Sequence, residues 1–350
     1  MYDKVLGCLL GAAVGDAMGA ATETKSEQQI LKTFGHRVVG FETPPENCLA
    51  RGRKKGQITD AFSIPYQIME LLIEHNGKAS RKLGEEALLK WSETEYYEPF
   101  AGMTTRNAIK NLQGDKELSA WAYAGHLGTK LYKGHYYALS SNGAASKAYT
   151  AGIIHPGNID AAINDVIELT MASHDDPFSL SGAAAIAAAV STALKTEVTI
   201  QHILDAALFG SEEGERKARL RTDIWDYPGP SVTKRIRMAL TIVVNSETKE
   251  NGVGEINRCI GNGPAISETV PTALAIVLLN KENTMEAIYD AVNIGDETSA
   301  TACIVGAIMG AKNGFESIPT DYLEFLQQEN NLDLEGQARK ITSLITENIV

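Results

Sequence analysis

Residues 7–19 read GCLLGAAVGDAMG, with a glycine at every fourth position from Gly7 to Gly19. Residues four apart lie on one face of an α-helix, so these glycines form a stripe without side chains. Such a stripe costs about 1 kcal/mol per glycine relative to alanine, and it lets another backbone approach closely. We therefore predict a helix over residues 3–19 that packs closely against another part of the core.

Apolar residues follow the helical period along almost the whole chain. The alanine-rich run GAAAIAAAV at residues 182–190 favours a helix small enough to pack centrally. Only residues 38–41 could form a short extended piece, so no sheet is predicted. No linker or repeat divides the chain, and we predict an all-α fold, with one compact multi-helix domain over residues 1–350. Loops are expected at residues 34–58, 114–141, 211–230 and 248–268. The further predicted helices cover residues 61–76, 80–95, 104–113, 159–174, 178–195, 200–210, 231–247, 269–280, 284–293, 299–313 and 335–349.

The composition is that of an ordinary globular protein that can bury a large core: 350 residues, 44% hydrophobic and 22% charged. The formal net charge of −12 argues against nucleic acid or an anionic membrane as a partner, because both need a basic face. The one local basic run, RGRKK at residues 51–55, is interpreted as a solvated loop.

Cysteine usage and apolar runs bear on the compartment. The four cysteines are widely spaced and form no C-x-x-C pair, which argues against a zinc site and a disulfide scaffold. The apolar stretch after Met1 is short and broken by glycine, unlike a signal peptide, and no uninterrupted apolar run approaches a membrane span. We predict a cytoplasmic protein.

Two segments place acidic and small polar residues where apolar helices begin: residues 58–61 (ITDA) and residues 295–299 (GDETS). Oxygen-bearing side chains are the usual ligands of a hard cation such as Mg²⁺. Paired carboxylates are also the usual groups that protonate or hydrate a glycosidic bond. Each segment alone could be a helix cap, so their coincidence is what indicates a site.

Three more segments carry candidate residues. Glu23 follows the first helix, where a surface glutamate is the plainer interpretation. Residues 141–147 (SNGAASK) predict a turn that opens a helix, whose N–H groups could hold an anion or sugar oxygens. Ser173 and His174 lie between two helices, where a histidine is more often a structural hydrogen-bonding residue than a catalyst.

In this order, the segments resemble the ADP-ribosylglycohydrolase family, which includes the dinitrogenase-reductase-activating glycohydrolases. Residues 7–19 are similar to the family's first helix, G.l.G.a.GDalG, and residues 142–145 (NGAA) match its GNGAAMR loop. Ser173 and His174 match its TH segment, and the helix over residues 299–311 matches the one after its GGDTDT motif. The resemblance extends over about residues 4–315.

The resemblance implies a site. Glu23 falls where many members carry a glutamate proposed to act in catalysis, and residues 99–105 (PFAGMTT) resemble the family's glycine loop. Glu23, Asp60 and Glu297 are then the expected catalytic carboxylates of one cleft. The expected substrate-binding residues are Thr59, Gly102, Met103, Asn142, Gly143, Ser173 and His174.

The chain also departs from the family's motifs. Members that use two Mg²⁺ ions carry TDDT and DTDT, whereas residues 59–62 read TDAF, so Ala61 replaces one aspartate. Without a gap, residues 297–300 (ETSA) take the second motif; with a one-residue insertion, residues 296–299 (DETS) take it. We favour the ungapped register because it keeps the small-residue face of the helix in phase. In the GNGAAMR loop, Ser141 replaces the first Gly, Ser146 the Met and Lys147 the Arg.

In either register a second aspartate is lost, so much of the charge that holds paired ions is missing. We predict that no intact two-metal site exists and that no cofactor beyond one weakly held Mg²⁺ is bound. The candidate ligands for that ion are Thr59, Asp60, Asp296, Glu297 and Ser299.

Two hypotheses for the function follow. The first is an N-glycoside hydrolase acting on an ADP-ribosyl, nucleoside or other small ribosyl compound, or on an ADP-ribosylated target, with a reduced or absent metal site. The second is a non-catalytic ligand-binding or structural descendant of the same fold, which the lost metal ligands would also explain. The retention of Glu23 and Asp60 favours the hydrolase, because a purely structural role would not require them.

Overall fold

The computed structural model describes residues 1–114, 129–132, 135–138, 140–221 and 228–349. The predicted all-α fold is confirmed, with one exception. Strands β1 (Thr129–Tyr132) and β2 (His135–Ala138) pair as an antiparallel hairpin inside the predicted loop 114–141, so the expectation of no sheet is wrong there. Residues 38–41 form no strand. The helices are α1 (Tyr2–Thr22), α2 (Glu27–Phe34), α3 (Asp60–Glu74), α4 (Arg81–Trp91), α5 (Tyr97–Phe100), α6 (Met103–Leu112), α7 (Gly143–Ser146), α8 (Tyr149–Ile154), α9 (Ile159–Thr170), α10 (Pro177–Ala193), α11 (Ile200–Arg219), α12 (Val232–Asn245), α13 (Lys249–Cys259), α14 (Ile266–Asn280), α15 (Thr284–Asn293), α16 (Thr298–Asn313), α17 (Thr320–Asn330) and α18 (Leu334–Ile349).

The glycine stripe of α1 packs against α16 as an antiparallel pair. A Cβ added at Gly11 would come within 2.2 Å of the Gly306 carbonyl oxygen, and one added at Gly306 within 1.9 Å of the Gly11 carbonyl oxygen. No side chain fits at such a distance, so the backbones themselves are in contact. The same pairing repeats along the two helices at Gly7 with Gly310, Gly15 with Ala302 and Gly19 with Ser299.

Helix α10 is the second central element, as its alanine-rich sequence predicts. Every residue of Pro177–Ala193 is buried. Helix α11 packs onto it through Gly210 and Gly214, where added Cβ atoms would lie 2.4 and 2.5 Å from carbonyl oxygens of α10. The buried hydrophobic residues around α1, α10 and α16 form one main core that extends from Val5 to Ile345.

Several helices lie where the sequence analysis placed loops or nothing. Helix α11 continues to Arg219, into the predicted loop 211–230, and α13 occupies most of the predicted loop 248–268. Helix α2 begins at a capping box in which Ser26 and Gln29 bond each other's backbone N–H. That pattern is visible in the sequence and could have revealed the helix.

Helix α1 is long and apolar enough to cross a membrane by length and composition alone, but its apolar window is fully buried inside the fold. The core helix of a globular protein has the same composition. Because α1 ends at Thr22 and α16 begins at Thr298, their pairing brings the end of one next to the beginning of the other.

Candidate functional site

Asp16 joins the first helix to the beginning of α3. Its Oδ2 accepts hydrogen bonds from the backbone N–H groups of Thr59 (2.8 Å) and Phe62 (3.1 Å), and its Oδ1 accepts one from the Thr59 hydroxyl (2.6 Å). Burial nevertheless raises the pKa of Asp16 to about 7. The sequence analysis quoted this residue but gave it no role. In the structure it fixes the position of the adjacent Asp60.

Glu23 joins the end of α1 to the beginning of α16. Its side chain is 6% exposed, and its Oε2 accepts a hydrogen bond from the backbone N–H of Ser299 at 3.2 Å. Next to Glu23, Thr22 and Thr298 link the two helix ends by a hydrogen bond between their hydroxyl groups, whose oxygens are 3.0 Å apart. Glu23 is therefore not the surface glutamate of the plainer interpretation.

The four carboxylates Asp16, Glu23, Asp60 and Glu297 lie close enough to repel one another, and we call them the acidic cluster. Burial, followed by the negative charge of Glu297, raises the pKa of Glu23 well above its usual value. Burial and the charges of Asp16 and Glu297 raise the pKa of Asp60 to about 8. Protons are thus held on this cluster near neutral pH.

Asn142 connects the acidic cluster to the turn before α7. Its amide donates to Oε2 of Glu297 at 3.0 Å and to the Thr269 hydroxyl at 3.2 Å. Burial raises the pKa of Glu297, and the Asn142 hydrogen bond opposes that rise. This hydrogen bond places Asn142, a predicted substrate-binding residue, next to Glu297, a predicted catalytic carboxylate.

Asp296 is exposed and directed elsewhere. Its φ of 60° is left-handed, and its backbone bonds Thr24 and Lys25. Burial and then the charge of Glu268 raise the pKa of Asp296, and the charge of Asp296 in turn contributes to the raised pKa of Glu297. Asp296 takes the first position of the DTDT motif in the gapped alignment, and Glu297 takes it in the ungapped one. Because Glu297 belongs to the acidic cluster, the positions of the two side chains favour the ungapped alignment.

Ser173 and His174 lie in a second buried group, with Ser141 and Lys147, which we call the Lys147 network. The Lys147 ammonium nitrogen donates to the Ser173 hydroxyl at 2.5 Å, and that hydroxyl lies 2.8 Å from Nδ1 of His174. Nε2 of His174 lies 2.7 Å from the Ser141 hydroxyl. Gly143 adjoins it: a Cβ there would lie 3.5 Å from the His174 ring. The structure thus brings Asn142, Gly143 and His174 side by side.

Gly102 and Met103 are set apart from these groups. Both are exposed at the beginning of α6, and nothing lies within 4 Å of where a Cβ of Gly102 would be. Phe100, two residues before Gly102, packs with Ala20 near the end of α1 and with Cys48 and Ala50. In the described part of the chain, no contact with the acidic cluster or its neighbours supports their predicted role in substrate binding.

The basic run 51–55 is not wholly solvated, contrary to the interpretation from sequence. The Arg53 side chain is 13% exposed and its guanidinium lies over the rings of Tyr96 (5.1 Å) and Phe100 (5.4 Å). Its Nη1 pairs with Glu95 at 3.0 Å. The positive charge of Arg53 opposes the rise in the pKa of Asp16, so this arginine is the cation nearest that end of the cluster.

Comparison with known proteins identifies the family. The ADP-ribosylglycohydrolase family model matches residues 1–349. The chain belongs to the ADP-ribosylglycohydrolase family. It is 27% identical to the ADP-ribosylhydrolase ARH3 of Gallus gallus over 90% of this chain and 87% of that protein. It is 23% identical to the ADP-ribosylarginine hydrolase Tri1 of Serratia proteamaculans over 94% of this chain and 77% of that protein.

The fold agrees as well. A solved structure described as an ADP-ribosylglycohydrolase-related protein complex superimposes with a TM-score of 0.65, covers 98% of both chains and is 21% identical in sequence. This likeness shows an ADP-ribosylglycohydrolase fold. The family assignment makes glycoside hydrolysis the activity of the chain's relatives, and the retained carboxylates decide how far it extends to this chain.

The paired Mg²⁺ ions of ADP-ribosylglycohydrolases do not fit the residues present. Ala61 and Ser299 offer no carboxylate, the Thr59 hydroxyl already donates to Asp16, and Asp296 is directed towards Glu268. Within the described residues, no three His, Cys, Asp or Glu side chains converge as ligands of one ion. Of the five predicted ligands, Asp60 and Glu297 retain carboxylates within the acidic cluster.

Sequence reasoning missed two residues of this ADP-ribosylglycohydrolase site. The sequence analysis gave Lys147 no role, but it is 4% exposed and its ionisable neighbour in the network is His174. Asp16 contacts residues more than 40 positions away, which no local pattern reveals. The family motif GD marks Asp16, and the replaced arginine of GNGAAMR marks Lys147.

Proposed function

We propose that the protein hydrolyses the N-glycosidic bond of an ADP-ribosyl compound or a related ribosyl compound, with carboxylates in place of paired metal ions. The observation that carries the proposal is the crowding of Glu23, Asp60 and Glu297 at one helix junction with raised pKa values. A purely structural junction would not need three mutually repelling acids, because each raises the free energy of the others' charged forms.

Proton supply follows from that repulsion. The pKa of Asp60 is raised to about 8, so a protonated carboxyl is available at neutral pH. Such a group can donate its proton to the leaving nitrogen while the C–N bond of the ribosyl compound breaks. Asp60 is half-buried and therefore within reach of a ligand, which suits it to this role.

Glu23 and Glu297 together supply one negative charge, because the repulsion between them keeps a proton on one carboxyl while the other is ionised. An ionised carboxylate on the side of the ribosyl group opposite Asp60 stabilises the oxocarbenium-like centre and accepts a proton from the attacking water. The water oxygen then bonds to the anomeric carbon, and its proton restores the charge balance of the cluster. Glu297 is held by Asn142 and Glu23 by the Ser299 N–H, so both carboxylates are positioned before substrate binds.

The remaining predicted residues supply contacts to the sugar. Asn142 contacts the carboxylate of Glu297, and Gly143 follows it at the beginning of α7, so polar atoms at this helix end can bind ribosyl hydroxyls in place of metal ions. The names of the relatives support an ADP-ribosyl group, since ARH3 is an ADP-ribosylhydrolase and Tri1 an ADP-ribosylarginine hydrolase.

One observation favours a second candidate, a non-catalytic protein that binds ribosyl compounds. Ala61 and Ser299 stand where the family's metal-binding motifs carry aspartates. A cleft that has lost those carboxylates could still bind ADP-ribose without turning it over. The two candidates differ in whether the ligand is consumed.

The deciding experiment compares the wild type with Glu23→Gln. ADP-ribosylarginine and adenosine serve as probes, and chromatography follows the release of ADP-ribose or ribose. We expect turnover by the wild type and a loss of about 10²- to 10⁴-fold in Glu23→Gln, with little change in melting temperature. Glu46→Gln, which alters an exposed glutamate outside the cluster, is the matched control.

Normal turnover in Glu23→Gln would remove this residue from the mechanism. Absence of turnover in the wild type, together with a rise in melting temperature when ADP-ribose is added, would favour the binding protein instead.

A further inference from the structure

The Lys147 network runs from the interior to a cavity. Lys147, Ser173 and His174 are at most 4% exposed, whereas Ser141 is half-buried. Ser141 lines a cavity of about 280 Å³, whose other walls include Phe178 and Glu268. The network therefore has one closed end, the Lys147 ammonium, and one open end, the Ser141 hydroxyl.

The direction of the hydrogen bonds follows from donor and acceptor capacity. A lysine ammonium can only donate, so the Ser173 hydroxyl accepts from Lys147 and gives its own proton to Nδ1 of His174. Lys147 also lies 3.5 Å from Nδ1, which disfavours a proton on that nitrogen. Burial and the charge of Lys147 lower the pKa of His174 well below its usual value, so its ring is neutral.

A neutral ring without a proton on Nδ1 carries it on Nε2. Nε2 then donates to the Ser141 hydroxyl oxygen 2.7 Å away. That oxygen becomes an acceptor within the network, and the Ser141 proton is free for a group outside it. The neighbouring backbone reinforces this position, since Asn142 N–H bonds the Pro264 carbonyl and Ile266 N–H bonds the Ser140 carbonyl.

The two ends of the network are also two places where the sequence departs from the family's GNGAAMR loop: Ser141 replaces a glycine and Lys147 an arginine. A glycine in the place of Ser141 would leave Nε2 of His174 without this partner. Ser141 thus supplies the open end of a chain of four hydrogen-bonding groups whose closed end is a basic residue, Lys147.

We propose that Lys147 is a positioning residue which, through Ser173 and His174, fixes Ser141 as a hydrogen-bond donor to an acceptor oxygen of the bound ribosyl compound. The role of Ser141 as a ligand contact rests on the proposed function, whereas the direction of the network does not. Asn142, the next residue, contacts Glu297, so Ser141 is one residue away from a direct contact with the acidic cluster.

The first test needs no ligand. Two-bond ¹H–¹⁵N spectra of the histidine rings, recorded at pH 6 where Lys147 is protonated, distinguish the two neutral tautomers and the imidazolium. We expect the Nε2–H tautomer of His174 in the wild type, and a mixture of tautomers in Lys147→Met. An Nδ1–H tautomer or an imidazolium in the wild type would overturn the proposal, as would an unchanged spectrum in Lys147→Met.

The second test is a double-mutant cycle with ADP-ribose as the probe in calorimetric titrations. Lys147→Met and Ser141→Ala should each weaken binding by about tenfold, which is one hydrogen bond's worth, and the double variant should bind no worse than either. Lys147→Arg, which retains a donor, should restore most of the affinity. Additive losses would contradict a single network.

Lys4→Met is the matched control, because Lys4 also donates to protein oxygens but lies at the far end of α1. If Lys147→Met does not fold, the wild-type tautomer and the affinity of Ser141→Ala decide the proposal, and an unchanged affinity overturns it. If the wild type does not bind ADP-ribose, the proposed ligand fails, and the two tautomer spectra alone decide the direction of the network.

Discussion

The acidic cluster and the Lys147 network both bury ionisable groups, but they do so in opposite ways. In the acidic cluster, carboxylates lie close to other carboxylates, and Asp60 and Glu297 are half-buried. In the Lys147 network, one amine donates to the Ser173 hydroxyl, and the two ring nitrogens of His174 contact the Ser173 and Ser141 hydroxyls. The first group is destabilised by repulsion between its own charges, whereas the second contains one cation linked to neutral partners by hydrogen bonds.

This difference separates chemistry from positioning. Groups that must exchange protons need raised pKa values and access to a ligand, and both come at a cost in folding free energy. Groups that orient a ligand need fixed geometry, which a closed hydrogen-bond network provides. Substitutions in the acidic cluster should therefore lower activity without lowering stability. Substitutions in the Lys147 network should lower stability.

The largest expected effect concerns activity in the acidic cluster. Asp60→Asn and Glu297→Gln should each lower turnover of a ribosyl probe by about 10²- to 10⁴-fold, because each removes a group that transfers protons or stabilises charge. Unfolding in urea should show equal or higher stability, since repulsion between carboxylates is relieved. Turnover within a few-fold of wild type in both variants would show that the acidic cluster does not carry the catalytic groups.

The Lys147 network should show the reverse pattern. Ser173→Ala leaves the Lys147 amine and Nδ1 of His174 without their shared partner, so the free energy of unfolding should fall by about 1–3 kcal/mol. Ser92→Ala, which removes a half-buried hydroxyl bonded only to the Leu89 carbonyl, is the control and should cost less. Equal urea midpoints for the two variants would show that the network contributes nothing to stability.

The pH dependence of stability should also differ between the two regions. Because the folded-state pKa of Asp60 is raised to about 8, its contribution is complete below pH 4 and is lost as the pH rises to 8. The pKa of Lys147 is lowered to about 7, so its contribution is lost as the pH falls from 10 to 7. Urea unfolding from pH 5 to 8 should show a shallower decline in Asp60→Asn, by at most about 1.4 kcal/mol per pH unit. Parallel curves would contradict the raised pKa.

The smallest expected effect is that of metal removal. Since Ala61 and Ser299 leave the cluster short of carboxylates, EDTA should change activity and melting temperature little, by less than about twofold in rate. A large loss that added Mg²⁺ restores would mean that Asp60, Glu297 and neighbouring oxygens hold an ion after all, and that protonated carboxylates are not the main catalytic groups.

The long-range architecture could be predicted largely from local pattern. The glycine stripe of α1 and the alanine run of α10 each indicated close helix packing, and both helices are central. Helix α13 was missed because Gly252 and Gly254 and many polar residues weaken its pattern. The β1–β2 hairpin was missed because alternation over two four-residue strands gives too little signal.

The candidate site was less predictable, because its contacts join residues far apart in sequence. The grouping of Glu23, Asp60 and Glu297 came from the family resemblance, and the structure places the three together. The roles of Asp16 and Lys147 depend on partners 43 and 26 residues away and on complete burial, which overrides the usual solvated state of such side chains. The propensity of a single residue carries no such information.

The pairing of α1 with α16 also has a consequence for synthesis of the protein. Thr22 and Thr298, which meet where the two helices join, are 276 residues apart, so at 5–20 residues per second α1 leaves the ribosome about 15–55 s before its partner exists. During that interval α1 is uncovered, and it has the length and composition of a membrane anchor. The nascent chain must therefore be kept from aggregating or entering a membrane until α16 has been synthesised. The site forms only after α16 packs onto α1.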